Sequence, residues 1–305
     1  MMFELGFWLL LAILLCVFRY TRSIVHSVAN LTYSPTPIPK LPSLSPSDLV
    51  VILPTLGDDL ERLALGISCH LKGGCQAVIV CVVAKKFKAV QELVSTIPGA
   101  DNKVTTLKAE HRNKRKQQKQ AITSLGVRPG IFAFADDDIT YGHRTLHWVL
   151  APFEDPKIGA AVPAQSVEPL QAGTMTQAIC NWLFMDYIER RNFENIDTLA
   201  VYGSISCISG RFNMVRGDII CKPGFPDGLV SEMWRGRLLL ADDDNYITRF
   251  LMESRWKIGF QNHSECIVET TFEPSIENII GRNLRWLRSN WRSNWKSIRN
   301  SQNWT

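Results

Sequence analysis

Short apolar runs alternate with helix-like segments through the first half of the chain. Four segments are typical of strands, and they lie at residues 49–53, 76–84, 103–109 and 130–135; the first is a continuous apolar run that suits a strand buried on both faces. The segments between them are typical of helices, and they lie at residues 58–71, 86–97 and 114–125. This alternation predicts an α/β fold with a mostly parallel sheet flanked by helices.

The N-terminus carries a longer apolar run. Residues 5–18 are apolar throughout, and Arg19 and Arg22 follow them. This pattern predicts a membrane anchor over residues 1–22, with the domain that follows in the cytosol. A cleaved signal peptide is the alternative, but Glu4 and the lack of Lys or Arg before the run disfavour it.

Proline and serine dominate the segment after the apolar run. Residues 32–47 hold five prolines and four serines, which is typical of an extended linker without a core of its own. We therefore predict a linker over residues 23–47 and a folded domain that begins at residue 48.

Composition and charge narrow the classes of function. With 305 residues, 46% hydrophobic and 21% charged, the chain is typical of a globular protein. The net charge of +5 is too small to indicate a nucleic-acid partner. The eight cysteines form no C-x-x-C pair, which argues against a zinc site or a disulfide framework and favours a reducing compartment.

Two aspartate triplets are the main candidates for chemistry. Residues 136–138 follow the strand at 130–135, at the sheet edge where α/β proteins bind ligands. Carboxylates there suit Mg²⁺ or Mn²⁺, although a helix N-cap with spare solvated acids is the alternative. Residues 242–244 open a predicted helix, where a carboxylate could act as a general base.

Two basic segments accompany the triplets. Residues 111–120 suit a phosphate group that needs cationic partners, although a solvated helix face is the alternative. Residues 281–300 interleave three tryptophans with arginine and lysine, which is typical of an amphipathic helix at a membrane surface. Neither segment carries a base-reading motif, so nucleic-acid binding is the weakest hypothesis.

These motifs, taken in order, resemble those of inverting family 2 glycosyltransferases, most closely membrane polysaccharide synthases of the hyaluronan, chitin and capsule type. The resemblance covers residues 48–300 and implies a GT-A fold. It rests on "VVILPTLGDD", "NKRKQQ", "FADDDI", "CISGRFNMVR", "ADDDNYIT" and "RNLRW".

The resemblance implies a role for individual residues of each motif. The residues that would contact the nucleotide and diphosphate of a UDP-sugar are Pro54, Thr55, Asp58, Lys114, Arg115, Asp136 and Arg285, with Asp59 as an alternative to Asp58. Asp136 and Asp138 would hold Mg²⁺ or Mn²⁺. Ser209, Gly210 and Trp286 would contact the acceptor. Asp244 would be the general base, with Asp243 as the alternative because three adjacent acids leave the register open.

The resemblance also implies an organisation and partners. It assigns residues 48–275 to the GT-A domain and residues 276–305 to an amphipathic, membrane-interfacial helix. The expected partners are a UDP-sugar, a saccharide acceptor and membrane lipid, with a full-length synthase or a second copy as a further possibility. The plasma membrane is the expected location, with endoplasmic reticulum or Golgi as alternatives.

Three departures from the family pattern support a rival hypothesis. The second strand lacks the acids that usually follow it in the family. The segment "CISGRFNMVR", which resembles the acceptor-side loop of the family and is called the acceptor loop below, carries the bulky Arg211 and Phe212. Synthases of this type also continue into further membrane helices, and residues 287–305 contain no such apolar segment. The rival is a truncated or non-catalytic relative that regulates or pairs with a full-length synthase.

Overall fold

The computed structural model describes residues 2–126, 130–168 and 171–299. Its strands are β1 (Leu49–Thr55), β2 (Ala77–Val83), β3 (Val104–Ala109), β4 (Ile131–Ala135), β5 (Thr140–Tyr141), β6 (Ile158–Val167), β7 (Phe212–Arg216), β8 (Met233–Trp234), β9 (Arg237–Leu238), β10 (Lys257–Gln261) and β11 (Ile267–Thr270). Its helices are α1 (Met2–Thr32), α2 (Leu60–Lys72), α3 (Phe87–Thr96), α4 (Lys114–Leu125), α5 (Thr145–Leu150), α6 (Met175–Tyr202), α7 (Gly217–Ile220), α8 (Phe225–Ser231), α9 (Asp243–Glu253) and α10 (Ile276–Arg299).

One large sheet organises the domain. Its order is β3-β2-β1-β4-β7-β6-β11-β5, and β10 also pairs with β6. β3, β2, β1 and β4 are parallel, whereas β7 runs antiparallel to β4 and β6. The prediction of a mostly parallel α/β sheet is therefore confirmed, and β8 and β9 form a separate hairpin.

Two apolar layers cover the faces of this sheet. Because side chains alternate along a strand, Leu49, Val51 and Leu53 of β1 pack in one layer, together with residues of α2 and α3. Val50 and Ile52 pack in the other layer, with residues of α4 and α6. All five side chains are buried, and each contributes about 1.5–3 kcal/mol by leaving water.

The second half of the sheet was not predictable from sequence pattern. β6 holds Pro163 and three alanines, which weakens its strand signal. α6 buries polar residues such as Asn192 and Asp197 and leaves Trp182 exposed, so its polar and apolar positions do not separate into two faces. This helix follows β6 and packs on it.

The N-terminal helix is longer than predicted. α1 continues from the predicted anchor through residues 23–32, which the sequence assigns to the linker, because no proline interrupts the chain before Pro35. Residues 6–32 are long and apolar enough to cross a membrane. From residue 33 the chain is irregular until a short 3₁₀ turn at 46–48.

The C-terminal end of α1 is joined to the domain. Asp197 of α6 pairs with His26 (Nδ1 to Oδ2, 2.6 Å) and accepts a hydrogen bond from Asn30 (Nδ2 to Oδ1, 2.7 Å). The Tyr33 hydroxyl then donates to the carbonyl of Phe260 at 3.0 Å. The segment between anchor and domain is thus held against the domain surface.

The predicted amphipathic segment 276–305 is helical over α10. Its apolar residues are exposed along one side, at Ile276, Ile280, Leu284, Leu287, Trp291, Trp295 and Ile298. Residues 300–305 of this segment lie outside the described residues.

Candidate active site

The first aspartate triplet lies at the carboxyl end of β4. The backbone N–H of Asp136 donates to the carbonyl of Arg211 at 2.8 Å, which continues the pairing of β4 with β7. The Asp137 carboxylate accepts a short hydrogen bond from Thr55, and that of Asp138 accepts one from Thr270 Oγ1 at 2.9 Å. The ends of three strands therefore fix this turn.

The second triplet begins α9. Asp242 has φ 65°, in the left-handed region, and the helix starts at Asp243. Asp243 Oδ2 accepts a hydrogen bond from Gln118 Nε2 at 2.7 Å. Asp244 lies beside Gly210, where an added Cβ would stand in van der Waals contact with Asp244 Oδ2, at 3.4 Å.

Lys114 joins the two triplets. Its Nζ lies 2.7 Å from Asp136 Oδ1 and 3.3 Å from Asp243 Oδ2, and it also donates to the carbonyl of Gly210 at 2.7 Å. Burial favours the neutral amine, but the charges of Asp136 and Asp243 outweigh it and raise the pKa of Lys114. The side chain therefore stays cationic between carboxylates from two distant parts of the chain.

The acids around Lys114 differ in pKa. Burial, reinforced by the charge of Asp243, raises the pKa of Asp244 to about 6. Burial also raises the pKa of Asp136 to about 6, against the opposing charge of Lys114. For Asp243 burial acts in the same direction, but the charge of Lys114 and the hydrogen bond from Gln118 outweigh it and lower the pKa. Adjacent acids with divergent pKa values are typical of proton-transfer sites.

A cleft of about 830 Å³ opens over both triplets, a size that suits a small-molecule ligand. It brings together most of the residues predicted for the site, namely Pro54, Thr55, Asp58, Lys114, Asp136, Asp138, Gly210, Asp243, Asp244, Arg285 and Trp286. Asp59, the alternative to Asp58, also lines the cleft, and it caps α2 by accepting the N–H of Arg62 at 2.9 Å.

A smaller chamber of about 70 Å³ lies behind the cleft. Gly210, Asp244 and Trp286 line both cavities, and Ser209 lines the chamber alone. The Trp286 ring stacks on Tyr187 of α6, with ring centroids 4.7 Å apart. Asp244 therefore has access to ligands on two sides.

The structure places Arg115 away from the cleft, unlike the sequence prediction. It was expected near a diphosphate, but its side chain is buried and does not line the cleft. Its Nη1 donates to Glu232 Oε2 at 3.0 Å and its Nη2 to the carbonyl of Asp242 at 2.7 Å. Neighbouring residues of a helix point about 100° apart, so Lys114 faces the cleft and Arg115 faces α8 and α9.

We expect Arg115→Met to act on stability and leave nucleotide affinity unchanged. Removing one partner of a buried ion pair costs about 3–5 kcal/mol, so the free energy of unfolding should fall by that amount in a urea titration. Lys116→Met, on the same helix but partly exposed, is the control. A weaker nucleotide affinity at unchanged stability would contradict this assignment.

A divalent cation fits the donor set. Asp136 and Asp138 both line the cleft, and Mg²⁺ or Mn²⁺ is commonly held by one or two carboxylates together with substrate phosphates. Within residues 2–126, 130–168 and 171–299, no group of three or more His, Cys, Asp or Glu side chains is arranged to hold a metal. The residues therefore suit a cation shared with a bound phosphate group.

Two residues of the site were missed from the sequence. Gln118 lies four positions after Lys114, on the same helix face, and this spacing could have placed it beside the same carboxylate. Arg211 lines both cavities, with its guanidinium 5.7 Å from the Trp286 ring centroid. It was noted only as a bulky departure, and no local pattern reveals that it faces the site.

Comparison with known proteins identifies related chains. A sequence model described as "Glycosyltransferase like family 2" matches residues 63–289. A type 2 glycosyltransferase of Pyricularia oryzae is 38% identical over 291 residues, which are 95% of this chain and 59% of that protein. A type 2 glycosyltransferase of Gibberella zeae is 38% identical over 292 residues, which are 96% of this chain and 55% of that protein. The chain thus spans a little more than half the length of these relatives.

A solved structure shares the fold. The mannosyltransferase PcManGT from Pyrobaculum calidifontis, in complex with GDP-Man and Mn²⁺, superposes with a TM-score of 0.63 at 17% identity. The match covers 95% of this chain and 75% of that one. It shows a GT-A-like fold, as predicted.

Proposed function

The chain belongs to the Glycosyltransferase like family 2, and from this premise we propose that it transfers a sugar from a UDP-sugar to a saccharide hydroxyl with inversion. The observation that carries the proposal is the position of Asp244. Its carboxylate borders both the large cleft, which suits a donor, and the smaller chamber, from which the reacting hydroxyl of an acceptor would approach.

The donor would occupy the large cleft. Pro54, Thr55 and Asp58 would contact the nucleoside, while Lys114 and Arg285 would offset the charge of the diphosphate as it departs. Mg²⁺ or Mn²⁺, held by Asp136 and Asp138, would supply further neutralisation of the diphosphate when bound. The Mn²⁺ bound by PcManGT supports this choice of cation.

Asp244 would act as the general base. It would take the proton of the acceptor hydroxyl as that oxygen bonds to the anomeric carbon, while the bond to the diphosphate breaks. Asp243 is the alternative, but its carboxylate already accepts from Gln118 and pairs with Lys114. A pKa near 6 also leaves Asp244 ionised at neutral pH and basic enough to accept a proton.

The acceptor would enter from the chamber side. Trp286 offers an aromatic face to a pyranose, and its stacking on Tyr187 holds that face in place. Ser209 and Gly210 would border the hydroxyl that reacts. The acceptor loop, which carries Ser209 and Gly210, would therefore lie beside both the acceptor hydroxyl and the base.

We further propose a membrane-bound arrangement. Residues 1–22 would form the anchor, 23–47 the connection, 48–275 the catalytic domain in the cytosol and 276–305 an interfacial helix. The exposed apolar side of α10, with Leu284 and Trp291, supports contact with lipid. Polysaccharide synthesis at the plasma membrane is the finer proposal that follows from the synthase motifs.

A non-catalytic relative remains the second candidate, favoured by the missing acids after β2. The deciding experiment is UDP release from the membrane-expressed chain, offered a panel of UDP-sugars with an acceptor mixture. Release with one sugar identifies a transferase and its donor. UDP binding without release from any donor would support the regulatory relative.

Metal removal should abolish this activity. Because Asp136 and Asp138 would hold the cation together with the bound diphosphate, chelation with EDTA is expected to stop UDP release, and added Mn²⁺ or Mg²⁺ to restore it. Asp138→Asn should raise the concentration of cation needed for half-maximal activity by about 10-fold or more, a difference of about 1.4 kcal/mol. Full activity in EDTA would exclude the metal role.

Activity should also fall in mild acid. Burial raises the pKa of Asp244 to about 6, so this carboxylate is ionised above this pH and gains a proton below it. The rate is expected to be maximal above about pH 7 and to fall as pH drops through 6. A profile that stays flat from pH 7 to 5 would contradict it.

A further inference from the structure

Asp242 has an unusual conformation at the start of α9. Its φ of 65° costs a non-glycine residue about 1–2 kcal/mol, so contacts must hold it. Arg292 Nη2 pairs with Asp242 Oδ2 at 2.9 Å, and Arg115 Nη2 donates to the carbonyl of Asp242 at 2.7 Å. Side chain and backbone are thus each held by one arginine.

The first of these contacts comes from α10, whose position is itself fixed. Lys296 Nζ pairs with Glu232 Oε1 at 2.6 Å, and Arg249 of α9 donates to Ser293 Oγ at 2.6 Å. Glu232 also pairs with Arg249 and Arg115. α10 is therefore attached to the segment that carries the second triplet at several points, and Ser289 and Ser293 are buried there.

The conformation of Asp242 decides where the next two acids point. With the left-handed turn in place, Asp243 faces Lys114 and Gln118, while Asp244 faces Gly210 and the junction of the two cavities. An extended or right-handed Asp242 would redirect the first turn of α9. Both acids would then leave these partners.

We propose that Arg292 is a positioning residue: from α10 it holds Asp242 in the left-handed conformation that aims Asp244 at the acceptor. This inference rests on the proposed function of Asp244. It makes the C-terminal helix part of the active-site framework, in addition to any contact with lipid.

The test uses glycine, which adopts positive φ without restraint. Arg292→Gln should lower kcat by about 10- to 100-fold. Arg292→Gln combined with Asp242→Gly should recover most of the lost rate. Arg288→Gln, an exposed arginine one turn earlier in α10, should stay within about twofold of wild type.

Amide hydrogen exchange supplies a second readout that needs no turnover. Exchange at residues 243–246 should increase in Arg292→Gln and return toward wild type in the double variant, with equal melting temperatures confirming an intact fold. If the wild-type protein shows no sugar transfer, the proposed function fails, but the exchange data still test whether Arg292 holds Asp242 and the first turn of α9. No rescue by glycine in either readout, or unchanged exchange in Arg292→Gln, would overturn the inference.

Discussion

Asp244→Asn is expected to lower kcat for sugar transfer by about 10²–10⁴-fold, the contribution of a general base. Asparagine keeps the size of the side chain and cannot accept the proton. The donor KM should change little, because Lys114 and Asp243 remain paired. The residual rate should also lose its fall near pH 6, since the carboxylate with a pKa near 6 is gone.

The measurement is UDP release under saturating donor, with Asp227→Asn as the control. Asp227 is an aspartate of α8 that pairs with Lys119 outside the cleft, so its variant should retain full activity. Asp243→Asn separates the two adjacent acids, because it removes the negative charge that pairs with Lys114 but leaves the base. If kcat fell strongly in Asp243→Asn and stayed close to the wild-type value in Asp244→Asn, the base would be Asp243.

Lys114→Met is expected to lower kcat/KM for the donor by about 10²–10³-fold, the cost of removing one preorganised group that stabilises developing negative charge. The loss should exceed that of an ordinary phosphate contact for a structural reason. Without the ammonium group, Asp136 and Asp243 face each other and the bound diphosphate with no cation from α4 between them.

The control for this variant is Lys119→Met, also on α4. Lys119 Nζ pairs with Asp227 at 2.7 Å and does not line the cleft, so nucleotide affinity should be unchanged. Binding of UDP measured by calorimetry, beside UDP release, separates lost affinity from lost rate. Wild-type affinity and rate in Lys114→Met would show that the bridge between the triplets is dispensable.

Adjacent basic residues show where prediction from sequence ends. Lys114 and Arg115 stand side by side in one basic run, and the run predicts phosphate contacts for both. Only the packing of α4 against the sheet determines that one faces the cleft and the other meets Glu232. Glu232 lies 117 residues later and carries no motif, so no local pattern could have paired it with Arg115.

The two halves of the sheet differ in the same way. The first four strands are short segments separated by single helices, so their presence and their parallel direction follow from local pattern. β7 enters between β4 and β6 in the antiparallel direction, and its position depends on long-range pairing. The acids were found because they follow strong local signals, whereas Arg211 and the setting of Asp242 depend on tertiary packing.

The order of these pairings also affects how the chain folds. β1 to β4 pair among residues 49–135, whereas β11 must reach β5 and β6 across more than a hundred residues. Long loops delay such contacts, so the half that carries Asp136 and Lys114 should form first. The pairing of Arg292 with Asp242 forms only when α10 docks against the domain. We therefore expect the position of Asp244, the proposed base, to be among the last features acquired during folding.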